Sequence, residues 1–353
     1  ANFLELQDRM GVGQIEALKK VYIYSNGMNP VLVIKKKPFE PKIIEEVHGT
    51  AHYVELDREP FYFPYIEQEG LDTIVQNINY KWYMFDDLLY DISKGSYAYD
   101  ELWKTASINL SPVSDDSPYF FNYNNGIPDA MTTPLWLGLF IIGWFIVNHV
   151  NGWRSVSFSE NTSMYMQRKF RAWALISFLL GFSYILIQGY LFQILNLKLS
   201  NPSQSFSLLL FTFLLGNGVG SLLTGTFKKN LFRKLIVYTA LIVLVSLLTV
   251  YVLLPIWYKQ LSEFWIALFL LLPSFFIGIP FPVLLKTASS LKEKKSIPYL
   301  LGISSVAGVA ASIFAIVISI LYGYRFVFLL GLFGYGVVIL LAYRLKTLKI
   351  VHT

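Results

Sequence analysis

Residues 112–123 read PVSDDSPYFFNY, and the chain changes character across them. The sequence before this stretch is acidic and mixed in pattern. The sequence after it is a train of apolar segments long enough to cross a bilayer. Asp115 and Asp116 lie between Pro112 and Pro118, and two prolines this close keep the pair out of a helix interior. Tyr119, Phe120, Phe121 and Tyr123 then lead to the first apolar run. Aromatic rings favour the membrane–water interface, so an interfacial anchor is the plain reading of the stretch. The sharper reading makes Asp115 and Asp116 the candidate catalytic pair, two carboxylates that hold a cationic group. Paired acids in loops are more often simply solvated.

Composition agrees with the division. The 353 residues are 54% hydrophobic and 15% charged, where soluble domains are about 25% charged. Residues 1–130 carry 20 acidic and 11 basic side chains, a net of −9. Residues 131–353 carry 18 basic and 3 acidic ones, a net of +15. The basic residues fall in short loops between apolar runs, where they act as topology signals. Nucleic acid is therefore not an expected partner; the lipid bilayer is. The sequence has no cysteine, which rules out disulfides and thiolate metal sites.

Residues 131–353 contain seven apolar runs: 134–150, 172–195, 205–227, 235–257, 265–285, 300–323 and 326–343. About 20 apolar residues cross the hydrocarbon, and in lipid each run must be helical to satisfy its backbone. The fold class is thus an α-helical multi-pass membrane domain of about seven spans. Apart from His149, none of the runs holds an ionisable Asp, Glu, Lys, Arg or His, which counts against ion-coupled transport. The intramembrane polar residues are Gln188, Gln193, Asn217, Ser304 and Ser305. Interhelical hydrogen bonds, about 0.6–2 kcal/mol each, account for them more simply than a substrate site. Gly216, Gly220 and Thr224 share one helical face, as do Ser304, Gly308 and Ser312, and such small faces let helices approach closely. Gly278 followed by Pro280 and Pro282 predicts a break in the fifth run.

Residues 1–130 read as a partial α/β segment. Helix is expected over 1–20, interrupted by a turn at Gly11-Val12-Gly13, a lone G-x-G with no preceding strand to make it a phosphate loop. Strands are expected at 21–24 and 31–34 around the turn Ser25-Asn26-Gly27, and a short helix at 42–47 after Pro38-Phe39-Glu40-Pro41. His48 and His52 have the spacing of two metal ligands on a helix, but Gly49 and Thr50 between them disfavour helix, and no metal site is expected. Further helices are expected at 72–77 and 82–92.

These residues carry a resemblance. Val31–Ile34 leading to Lys37-Pro38-Phe39, the acidic stretch at 112–121, the run 180–193, Gly218-Val219-Gly220-Ser221-Leu222-Leu223, Gly278-Ile279-Pro280-Phe281-Pro282 and the segment 302–312 resemble, in order, segments of the membrane-fused spermidine-synthase-like proteins. That bacterial and archaeal group joins a Rossmann-like aminopropyl- or methyltransferase domain to transmembrane helices. Ser117 stands where the family usually has Arg, Gln188 where it has Glu, and Ser304 where it often has Asn. The resemblance implies that 1–130 is the C-terminal portion of a Rossmann-like domain and 131–353 its membrane domain. It implies transfer of an aminopropyl or methyl group from a sulfonium donor to an amine or a lipid-soluble acceptor. The cofactor would be S-adenosylmethionine or its decarboxylated form in the full-length protein. Its glycine-rich site is expected upstream of Ala1, with no cofactor bound by residues 1–353. The competing expectation is a transporter or lipid-handling protein whose soluble part is a scaffold.

Loop charges bear on topology. Arg154, Arg168, Lys169 and Arg171, then Lys228, Lys229, Arg233 and Lys234, then Lys286, Lys292, Lys294 and Lys295, and finally Arg344, Lys346 and Lys349 fall on one side of seven spans. Only Lys198, Lys259 and Arg325 fall on the other. The positive-inside rule places the C-terminus in the cytoplasm, and seven spans then place residues 1–130 outside; the resemblance to a bacterial and archaeal group implies the plasma membrane of a prokaryote. A domain using S-adenosylmethionine belongs in the cytoplasm, so the two expectations conflict at the first span.

Overall fold

In a computed structural model the chain forms two compact units, residues 1–114 with 119–125, and residues 115–118 with 126–353. The structure describes residues 2–24, 31–53, 62–66, 89–90, 92–95, 113–119, 126–151, 164–227, 230–253, 262–289 and 296–351.

In the first unit, helices α1 (Asn2–Arg9) and α2 (Gln14–Leu18) are separated at Gly11, whose φ of +73° suits a residue without a Cβ. Leu4, Ala17, Leu18 and Tyr62 pack together beneath them, and burial pushes the Tyr62 phenol well above its usual range. Strands β1 (Val21–Tyr24) and β2 (Val31–Ile34) form an antiparallel pair, with Val21 opposite Ile34. Their β-branched and aromatic residues cover Phe39, Ile44 and Phe63. Helix α3 (Pro41–Tyr53) runs past the expected end at 47 and through Gly49 and Thr50. Thr50 Oγ1 donates to the Glu46 carbonyl at 2.8 Å, which satisfies the hydroxyl inside the helix. His48 packs edge-on against Phe63, ring centroids 5.1 Å apart. No cluster of three metal-ligating side chains occurs among the described residues. The described sheet has two strands and shows no Rossmann-like fold. The expected helix at 72–77 lies outside the described residues; within 82–92, residues 89–90 and 92 are helical.

Among the described residues the second unit is mainly helical. It consists of α4 (Thr132–Val150), α5 (Met164–Leu199), α6 (Pro202–Thr224), α7 (Leu231–Leu248, continuing as a π turn), α8 (Glu263–Ile277), α9 (Pro280–Ser289), α10 (Ser296–Tyr322) and α11 (Tyr324–Val351). With α8 and α9 forming one broken span, seven helical segments among the described residues are long and apolar enough to cross a membrane, as the apolar runs predict. Their outward side chains suit lipid as the solvent: Trp136, Leu222 and Phe333 are 73%, 79% and 68% exposed. The chain is an integral multi-pass membrane protein.

Helix α5 is the centre of the bundle, packed between α10 and α11, while α6 pairs with α8, and α7 leans on α11. Small residues set these contacts. A Cβ on Gly216 would run into the Ser274 side chain, one on Gly220 into the Phe275 carbonyl, and one on Gly278 into the Asn217 backbone. The face at Ser304 and Gly308 meets α5 at Gly181 and Ile185, whereas Ser312 is exposed. Hydroxyls add interhelical bonds: Ser177 Oγ donates to the Leu300 carbonyl at 2.6 Å and Ser274 Oγ to the Thr212 carbonyl at 3.1 Å. Helix α6 starts on Asn201, whose Oδ1 accepts from Ser203 N and Gln204 N, with Pro202 in the first turn. Its far end is held by Lys286 of α9, whose Nζ donates to the carbonyls of Thr224, Gly225 and Phe227 at 2.8–3.1 Å.

Candidate functional site

The break between α8 and α9 follows from its sequence. Pro280 has no N–H for the Phe276 carbonyl, which accepts instead from Ile279 N at 3.2 Å. Pro282 likewise offers no N–H to the Gly278 carbonyl. The chain turns at Gly278 and Ile279 and restarts as α9. Beside this break lies a cavity of about 280 Å³, at the small end of the range for ligand pockets.

Five spans contribute to its wall. Gly181 and Tyr184 come from α5, Asn217 and Ser221 from α6, Gly278 and Phe281 from the break, Ser304 from α10 and Tyr335 from α11. Among the described residues, no Asp, Glu, Lys, Arg or His lines it. Asn217 Nδ2 donates to Tyr184 Oη at 3.3 Å. Asn217 Oδ1 is buried and has no hydrogen-bond partner among the described residues, which is costly in a low-dielectric interior. Tyr335 is fully buried at the floor. Asn217 and Ser304 each lie seven residues from the nearest end of their spans, at Thr224 and Ile297. That is about 10 Å at 1.5 Å per residue, and it puts the cavity inside the hydrocarbon, toward the basic loops.

Asp115 and Asp116 occupy a turn of the second unit. The segment is irregular, as the flanking prolines require. Asp115 is exposed. Asp116 is half-buried and lies at the start of α11: its carbonyl accepts from Tyr324 N at 2.8 Å and its Oδ1 from Arg325 N at 2.7 Å. Two of the four N–H groups that begin a helix without partners are thereby satisfied from a distant segment, and the carboxylate complements the positive end of the helix dipole. Gly323, at φ +86°, joins α10 to α11, and a Cβ there would collide with the Asp116 carboxylate.

Of the polar residues singled out in the membrane, only Asn217 and Ser304 meet at the cavity. Gln188 is half-buried, Gln193 is buried, and both lie elsewhere on α5. Ser305 is exposed and bonds back to the Leu301 carbonyl at 3.1 Å. Tyr184, Ser221 and Tyr335 are polar lining residues that sequence reading did not single out as site candidates. Tyr184 could have been found from Gly181, one helical turn before it on the same face; nothing local marks Tyr335. No family model, no curated protein and no solved structure matches this chain.

Proposed function

We propose that the chain is the membrane-embedded part of an alkyl-transfer enzyme of the spermidine-synthase-like kind, with a helical unit that receives a lipid-soluble acceptor. One observation supports this reading above others. The segments 180–193, 218–223, 278–282 and 302–312, far apart in sequence and each resembling that family, all contribute residues to the one cavity. Residues 1–130 would belong to the Rossmann-like domain. The donor, S-adenosylmethionine or its decarboxylated form, would be held upstream. In the transfer, a lone pair of the acceptor forms the new bond to carbon while the carbon–sulfur bond breaks; the thioether leaves, and a base takes the acceptor's proton. Asp115, with its exposed carboxylate, is the member of the acidic pair suited to hold a cation or take that proton, since Asp116 is engaged at α11. The C-terminus is cytoplasmic on this reading, in a prokaryotic plasma membrane.

Membranes containing the full-length gene product, given methyl-labelled S-adenosylmethionine or aminopropyl-labelled decarboxylated donor, should place label in organic-extractable material. Asn217→Leu should abolish that label. No protein-dependent transfer from either donor ends the transferase reading. A lipid-handling role is the second reading, favoured by one observation: Asp129–Val150 is long enough to span. If it crosses, the residues before it lie opposite the C-terminus, away from a cytoplasmic donor.

A further inference from the structure

We infer that the cavity beside Gly278 binds the hydroxyl head of a neutral, lipid-soluble molecule. The inference rests on the reading that the helical unit receives such a molecule, and it names the chemistry that would be recognised. One group at the cavity lacks a hydrogen-bond partner among the described residues. The Asn217 side chain has its Oδ1 buried and unpaired among the described residues. Exchanging the two ends of the Asn217 amide leaves one of them unpaired in either orientation. A hydroxyl both gives and accepts a hydrogen bond, so it serves either orientation of the Asn217 amide. An ether only accepts, and cannot pair with the free Asn217 Oδ1.

Charge decides against the alternatives. A protonated amine or a carboxylate would enter a wall that is uncharged among the described residues, about 10 Å or more inside the spans. A neutral hydroxyl carries no such penalty. Leu180 and Phe281 give the apolar remainder of the molecule a wall to lie against. The volume of about 280 Å³ admits a head group and the first part of a chain, with the rest extending into lipid.

The sequence has no cysteine, so Ser221→Cys puts a single thiol in the cavity wall. Its modification by N-ethylmaleimide is followed in purified full chain in lipid nanodiscs, with 1-octanol or octyl methyl ether as probes. Octanol should slow modification about tenfold, the effect expected of one hydrogen bond, and the ether by less than about twofold. Adding Asn217→Leu should remove the difference between the probes. If Ser221→Cys does not fold, Ser304→Cys reports from the opposite wall. Equal protection by both probes, protection by neither, or a thiol unreactive at both positions would overturn the inference. The protection assay uses no sulfonium donor, so selective protection here together with no label transferred in the donor assay would sink the enzyme reading and leave the hydroxyl site standing. Transfer without protection would do the reverse.

Discussion

At the scale of single residues, Asp116 is the clearest case of a side chain whose surroundings decide between two roles. Its carbonyl and carboxylate serve the first two N–H groups of α11. Removing an acidic or amide cap costs about 1 kcal/mol, while replacing it by Asn costs little. Asp116→Ala should therefore lower the thermal midpoint of the detergent-solubilised protein, and Asp116→Asn should leave it within error. The same Asn variant tests chemistry. If it eliminates alkyl transfer without moving the midpoint, the charge of Asp116 is needed for more than the cap. The irregular, proline-bounded segment was legible in sequence because prolines act locally. Its partner was not: Arg325 is 209 residues away, and no local pattern announces a cap supplied from another part of the chain. Asn217 and Ser304 were legible as polar residues in apolar runs, but their meeting at one cavity depends on how helices rotate against each other.

At the scale of elements, the contact of α6 with α8 is set by what is missing from glycine. Gly220→Leu would force a side chain into the Phe275 carbonyl, and overpacking of this kind costs about 1–3 kcal/mol. Gly218, on the same helix, has open space where its Cβ would be. Gly220→Leu should lower the thermal midpoint by several degrees and Gly218→Leu should not. Equal behaviour of the two would show that the α6 face does not govern packing. The helices themselves were legible because a bilayer admits few alternatives to a long apolar helix. The break at Gly278 was legible from its prolines. The length of α3 was not, because glycine and threonine argue against helix by weak propensities that packing against Phe63 and a back-bonded hydroxyl override.

At the scale of the whole molecule, the open issue is which face of the membrane each part occupies, and loop charge supplies a definite expectation. In intact cells, Ser200→Cys should react with an impermeant thiol reagent and Ser290→Cys should be protected, the natural chain contributing no thiol background. The reverse pattern inverts the arrangement. Ser96→Cys then separates the two functions: protection is required for a cytoplasmic transferase, and labelling is expected of the lipid-handling alternative.

The tie between Asp116 and the start of α11 also has a chronology. A ribosome adds about 5–20 residues per second, so Arg325 emerges about 10–40 s after Asp116, with 209 positions between them. Throughout that interval the turn has no helix to cap, and the earlier membrane helices must insert without it. Helix α11 is made after α4 to α10 and receives a ready-made acceptor, so its docking follows their insertion. A nascent chain stalled before residue 324 should carry an unclaimed carboxylate at Asp116, open to whatever quality-control factor reads an unfinished membrane protein.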